Sequence, residues 1–299
     1  MGPSPDPLEE REHAHQPDLG LLGKEKFDAA RRRAPAVFSS LTPAMPTEVY
    51  DTFWYFAAER QAVFFARLRG RPYPWTEDPI LRRYKFTNAY RASDRVSQYL
   101  IRNVIYEGDQ DPREVFFRTV LFKIFNRIDT WEMLNDGFGP VSYADYSFER
   151  YDAFLTRAIQ GGRRLFSAAY IMPSGGKKSG HARKHSHYLE LLGWMMEDAV
   201  PERLSEARNM REAFELLRSY PMIGDFLAYQ YVTDLNYGEI TDFSEMEFVM
   251  PGPGARNGIH KCFEDLGGLS EVDIIRGCYE PVRRMPAACW RKRQANATK

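Results

Sequence analysis

The chain has 299 residues, enough for one large domain or two small ones with a real apolar core. Lysine plus arginine equal aspartate plus glutamate at 41 each, which excludes a global field that would attract a polyanion, so any nucleic-acid affinity must come from local patches. Cys262, Cys278 and Cys289 form no CxxC pair, and His260 beside Cys262 is too little for a zinc site; this usage fits a reduced, intracellular and soluble protein. No apolar run reaches membrane-spanning length and the N-terminus carries no hydrophobic signal core.

Residues 1–45 are rich in Pro, Glu, Arg and His with little apolar periodicity, and are expected to be a disordered lead-in with at most a helical turn over 24–33. Order is expected from Pro46. VYDTFWYFAAERQAVFFARLRG has apolar residues at helical spacing and a stop at Gly70. RPYPWTEDPI is a proline-punctuated loop. FTNAYRASDRVSQYLIRN, residues 86–103, reads as a helix. DPREVFFRTVLFKIFNRIDTWEMLND opens with Asp111 as N-cap and Pro112 at the first helical position; Val115, Phe116, Val120, Leu121, Ile124 and Ile128 make its apolar stripe. SFERYDAFLTRAIQ is a further helix closed by Gly161 and Gly162. PSGGKKSGHARKHSH reads as a mobile, solvated loop with Lys177, Lys178, His181, Arg183, Lys184, His185 and His187. HYLELLGWMMEDAV, SEARNMREAFELLRSY and MIGDFLAYQYVTDLNY are helical. Strand alternation and hairpin signals are missing, so the expected fold is all-α: a single helical domain over 46–280, followed by a basic tail over 281–299.

Residues three, four or seven apart share a helix face. Arg91, Asp94 or Arg95, Gln98 and Arg102 form one polar face, with Val96, Leu100, Ile101 and Val104 on the other. The bland reading is a solvated stripe of weak ion pairs. The sharper one notes six basic residues against the single Asp94 over 82–102, with Tyr84, Tyr90 and Tyr99 interleaved. Guanidinium forks suit phosphate and aromatic faces suit bases, which makes a local nucleic-acid footprint.

EFVMPGPGARNGIHKCF places Gly252 and Gly254 around Pro253 before a helix from Ala255. Glycines let backbone approach a ligand, and the amides of a helix start favour an anion. The string resembles the hairpin of helix-hairpin-helix DNA-binding proteins, with Arg256 and Lys261 adding charge; a plain Gly-Pro loop is the alternative. In helix-hairpin-helix glycosylases a catalytic Asp lies a little downstream, and Asp273 stands at a comparable distance. Lys123 and Asn126 interrupt an apolar helix, where snorkelling is the default and a buried phosphate-binding cation the alternative. Gln230, Asp234 and Tyr237 share a face suited to hydrogen-bonding a flipped base. Asp94 and Asp234 are the candidate acid–base carboxylates. GxxxxGK[ST] is absent, which argues against P-loop phosphoryl transfer in this chain.

FTNAYRASDRVSQYLI, VLFKIFNRIDTWE, FLAYQYVTDLNY and FVMPGPGARNGI, in this order, resemble the thymine-hypermodification proteins. That group includes the helical domain of 5-hydroxymethyluracil (5-hmdU) DNA kinases and the α-glutamyl/putrescinyl-thymine pyrophosphorylases, or amino acid:DNA transferases. The resemblance implies an all-α fold related to helix-hairpin-helix DNA glycosylases. It also implies displacement of pyrophosphate from a 5-hydroxymethyluracil-derived thymine in DNA by an amine or amino acid. It nominates Arg91, Asp94, Lys123 and Asp234 as catalytic, and Arg95, Gln98, Asn126, Gln230, Gly252, Gly254, Arg256 and Lys261 as substrate- or DNA-binding. The implied partners are modified DNA, the amine co-substrate and a separate P-loop 5-hmdU kinase. No cofactor is evident; a divalent metal is compatible, but no ligand spacing specifies one. The P-loop portion of some members is missing here. Related chains extend past the equivalent of Glu280 with further polar motifs, so truncation is an alternative. Two other readings stay open: a non-catalytic DNA-binding module, and a glycosylase-like enzyme excising modified bases.

Overall fold

The computed structural model describes residues 44–168 and 182–284. The lead-in up to residue 43, residues 169–181 with the first part of the lysine- and glycine-rich loop, and residues 285–299 of the basic tail lie outside the described residues. The fold is all-α, apart from a short antiparallel pairing of β1 (Met45–Pro46) with β2 (Phe263–Asp265).

Helix α1 (Glu48–Leu68) starts where Thr47 accepts from Val49 N, and Gly70 follows its end at φ +65, a conformation glycine adopts without strain. Thr47 also ties this start to the last turn of α11 (Pro253–Cys262), through N–H to the Cys262 carbonyl at 2.8 Å and Oγ1 to the Lys261 carbonyl at 2.6 Å. The short α2 (Pro79–Arg83) is capped by Asp78.

Residues 86–103 are not one helix. They comprise an irregular run, a 3-10 turn (Arg91–Ser93), α3 (Arg95–Leu100) and a π-helical turn (Ile101–Ile105). Asp94 is the reason for the break: its backbone is extended and its carboxylate caps α3 by accepting from Val96 N at 3.1 Å. Side chains also claim the backbone of the turn, Asn88 donating to the Ser93 carbonyl and Gln98 to the Ala92 carbonyl. The polar stripe expected from helical spacing therefore does not exist as one face.

Helix α4 (Pro112–Phe125) begins with Asp111 as cap and Pro112 in its first turn, as the sequence indicates. It is buried from Glu114 to Phe125, which makes it the central helix rather than one with a single apolar stripe. Around it pack the π-helical turn, α7 (Lys184–Glu197), α8 (Val200–Ser205) and α10 (Asp225–Leu235). Helix α5 (Ile128–Phe138) follows α4 directly, and α6 (Phe148–Gln160) packs on α7. Helix α9 (Met210–Arg218) buries Met210, Ala213, Phe214 and Leu217, an i, i+3, i+4, i+7 set, and packs on α10. Helix α12 (Glu271–Arg284) continues past Glu280, the expected end of the domain.

The reading of residues 173–187 as a solvated loop is corrected at its end. Helix α7 begins at Lys184, and His185 and His187 are buried. His185 Nε2 lies 3.2 Å from Asp152 Oδ1 and 3.1 Å from Thr156 Oγ1, both on α6, so helix packing draws the ring inside. Among the described residues no helix is long and apolar enough to cross a membrane.

Candidate functional site

The polar centre forms where α10 crosses α4 and the 3-10 turn. Asp234, in the last turn of α10, is fully buried. Its Oδ2 receives Arg91 Nη2 at 2.6 Å and lies 3.1 Å from Lys123 Nζ. Lys123 does not snorkel; its side chain is 7% exposed. Its ammonium donates to Asn126 Oδ1 at 2.8 Å. That contact depends on Asn126 closing α4 in the left-handed conformation, φ 47 and ψ 41, which asparagine tolerates. Arg91 spans the site, donating to the Gln230 side chain and, at 3.4 Å, to its carbonyl, while remaining 31% exposed. Tyr237, just past α10, also hydrogen bonds Arg91.

Burial dominates the electrostatics. Desolvation pulls the Lys123 ammonium below the usual lysine range; Asp234 opposes this, Arg91 adds to it, and Asp94 contributes a smaller opposing charge. Burial likewise raises the Tyr237 phenol. Asp234 Oδ1 is buried and has no hydrogen-bond partner among the described residues. The centre thus holds two cations on one carboxylate oxygen and leaves the other oxygen buried without a donor among the described residues.

Arg91, Lys123, Asn126, Gln230 and Asp234 come together here. Asp94 caps α3 at the edge of the centre, Gln98 turns back to Ala92, and Arg95 is exposed at the start of α3. Sequence reasoning missed Glu245. Its side chain is exposed at the surface, yet desolvation raises its carboxyl, with Arg91 opposing and Asp234 adding. Nothing local marks it, because Asp242, Glu245 and Glu247 together read as a solvated acidic loop.

The glycine turn lies along the same helix. A Cβ on Gly252 would come within 3.3 Å of Phe226 Cδ2. Phe226, Gln230 and Asp234 are spaced by four on α10, so the turn sits about 12 Å along the axis from Asp234. Gly252 caps α11 with extended backbone, but residues 236–252 before it are irregular rather than helical. Gly254 and the Arg256 and Lys261 side chains are exposed. Beside the turn is an open cleft of ≈ 290 Å³ whose lining includes Arg211, Arg256 and Arg276. Asp273 serves as a local cap, accepting from Ser270 N at 3.0 Å and Ser270 Oγ at 2.6 Å. Among the described residues no three His, Cys, Asp or Glu gather in a way that could hold a metal ion.

The profile of the family described as "5-hmdU DNA kinase, helical domain" matches residues 47–287. The chain belongs to this family of helical domains. The matched span takes in α1 through α12 and every residue of the polar centre. A 5-hmdU DNA kinase of Bacillus phage SP10 is similar, 25% identical over 250 residues that cover 78% of this chain. The chain spans about two fifths (39%) of that relative's length. No significantly similar solved structure was found.

Proposed function

We propose that the chain acts on a 5-hydroxymethyluracil-derived base in DNA, displacing pyrophosphate from its methylene group with an amine or amino acid. The observation that carries this reading is Asp234: one oxygen held by Arg91 and Lys123, the other buried without a donor among the described residues. Family membership supports modified uracil as the base.

The target base would leave the stack to reach such a recessed centre. The amine nitrogen then bonds to the methylene carbon as the carbon–oxygen bond to pyrophosphate breaks, its electron pair leaving on the phosphate oxygen. Negative charge grows on the leaving group, where Arg91, partly exposed, and Lys123 would stabilise it. The open oxygen of Asp234 orients the incoming N–H and takes the proton released once the C–N bond has formed. Gln230 and Tyr237 hold Arg91 in place. The pyrophosphorylated substrate requires a phosphorylating enzyme upstream, a role suited to a separate P-loop kinase.

The test is mass spectrometry of nucleosides from 5-hydroxymethyl- and pyrophosphomethyl-uracil DNA incubated with the protein and a panel of amines. A new thymidine adduct that disappears with Lys123→Met, at DNA affinity within twofold of wild type, supports transfer. Abasic sites would replace it with excision, and unchanged DNA with a binding module.

A further inference from the structure

We propose that the exposed run from Arg82 to Tyr90 is the platform on which the DNA strand next to the modified base lies. This rests on the reading that the chain takes its substrate from DNA. Single exposed aromatic side chains are ordinary, whereas several grouped on one surface mark an interaction site. Here Tyr84, Phe86 and Tyr90 are 45–60% exposed within seven residues. Between them and just before stand Arg82, Arg83 and Lys85, all exposed, and no acidic residue occurs from Arg82 to Ser93. The closest acidic contact in this run is the loose pairing of Arg82 with the exposed Glu77 at 3.8 Å. Exposed rings beside unburied cations match a single strand, whose bases offer faces to stack on and whose phosphates attract guanidinium and ammonium groups.

The run is irregular, yet it is pinned. Arg60 of α1 donates to the Thr87 carbonyl at 3.2 Å, and Phe56 of α1 meets the Phe86 ring edge-on at 4.9 Å between centroids. Arg83 lies over the Tyr84 ring at 5.3 Å. The two contacts from α1 hold the segment while Tyr84, covered on one face by Arg83, and Tyr90 remain 55% and 60% exposed. Its next residue is Arg91, whose guanidinium is bound to Asp234. A strand stacked along the run would therefore end at Arg91, with flanking bases on the tyrosines and the target base beside the one partly exposed member of the Arg91–Asp234 pair.

The test uses the 299-residue protein with an amine and oligonucleotides carrying one pyrophosphomethyl-uracil and a 5-iododeoxyuridine placed one to three nucleotides to either side. After photocrosslinking, peptide mapping should find the adducts on Tyr84, Phe86 or Tyr90. Tyr84→Ala with Tyr90→Ala should weaken single-strand binding by roughly tenfold or more, the usual loss for one or two stacked bases. Melting temperature should stay at the wild-type value, because both side chains are exposed. Adducts confined to other segments, together with binding by the double variant within twofold of wild type, would overturn the platform. Adducts on these residues without any base product leave the platform standing and remove the transfer reading. A base product with adducts elsewhere does the reverse.

Discussion

Replacing Asp234 by Asn keeps the shape of the polar centre and removes one charge. Lys123, 7% exposed, then faces Arg91 with no carboxylate between them. Breaking a buried pair by removing one partner costs about 3–5 kcal/mol. An independent ceiling follows from the lysine itself. Shedding the proton at pH 7 from a group with an ordinary pKa of about 10.4 costs about 4.6 kcal/mol, so the Lys123 penalty cannot exceed that. A domain of this size loses about 2–4 °C of melting temperature per kcal/mol, which gives a fall of about 6–18 °C for Asp234→Asn at pH 7. The sign with pH follows from proton counting. In the variant the folded state binds fewer protons at Lys123 than the unfolded chain does, so its stability relative to wild type rises as pH increases toward the unfolded value. Thermal melts of wild type, Asp234→Asn, Lys123→Met and the double variant at pH 7 and pH 9.5 supply the measurement. The double variant should lose less than the sum of the singles, and the Asp234→Asn deficit should shrink at the higher pH. A melting temperature within about 2 °C of wild type, unchanged between the two pH values, would show that Asp234 does not hold a buried ammonium.

Other perturbations read different parts of the molecule. Burial depresses the His185 pKa, with Asp152 opposing and Arg183 adding, so the folded state resists protonation; stability should hold above the ordinary histidine value of about 6.5 and fall as pH drops below it, a slope that His185→Gln should flatten in acid melts. Arg118→Met should destabilise by about 3–5 kcal/mol in denaturant titration, because it abandons Glu114 and the carbonyls of the π-helical turn. Gly137→Ala would place a Cβ 2.6 Å from the Phe154 ring, and overpacking of this kind costs about 1–3 kcal/mol; Phe154→Leu in the same chain should restore part of it. If the cleft beside Gly252 binds phosphate, removing Arg256 and Arg276 should lower the slope of log affinity against log salt by about 0.9 for every phosphate no longer neutralised, measured by fluorescence anisotropy.

What the sequence disclosed was mostly local. The Asp111–Pro112 start of α4, the glycines after α1 and α6, and the helix within SEARNMREAFELLRSY are each set by neighbours in the chain, and each stands in the structure. Residues 86–103 misled because helical spacing was read through a segment whose own side chains bond its backbone: Asn88 and Gln98 take the carbonyls of Ser93 and Ala92. His185 could not be placed without the packing of α7 on α6 that supplies Asp152. The polar residues of the centre were visible as types at helical spacing. Their meeting was not, because Arg91, Lys123 and Asp234 lie on three elements: the seating of α10 on α4 brings Lys123 to 3.1 Å from Asp234, and the 3-10 turn brings Arg91 to 2.6 Å.

The same central helix carries an internal comparison for the charged centre. Glu114 is buried in the first turn of α4, and both of its oxygens are occupied, by Tyr143 N at 2.8 Å and Ala144 N at 3.0 Å. Arg118, one turn on, lies 3.6 Å from Glu114 and gives its donors to the carbonyls of Val104, Ile105 and Asp109. Such a network saturates itself and fixes a loop and a turn against α4. Asp234 differs in the respect that matters for chemistry. It is at least as deeply buried, its partners are side chains rather than backbone amides, and one oxygen receives nothing from the described residues. Apolar side chains in place of the whole Asp234–Lys123 pair would fill the space at little loss of stability, whereas removing the carboxylate alone strands the ammonium. A carboxylate that is expensive to bury and incompletely satisfied by the described residues has one acceptor to spare, and under the proposed transfer that acceptor is where an amine N–H would bind.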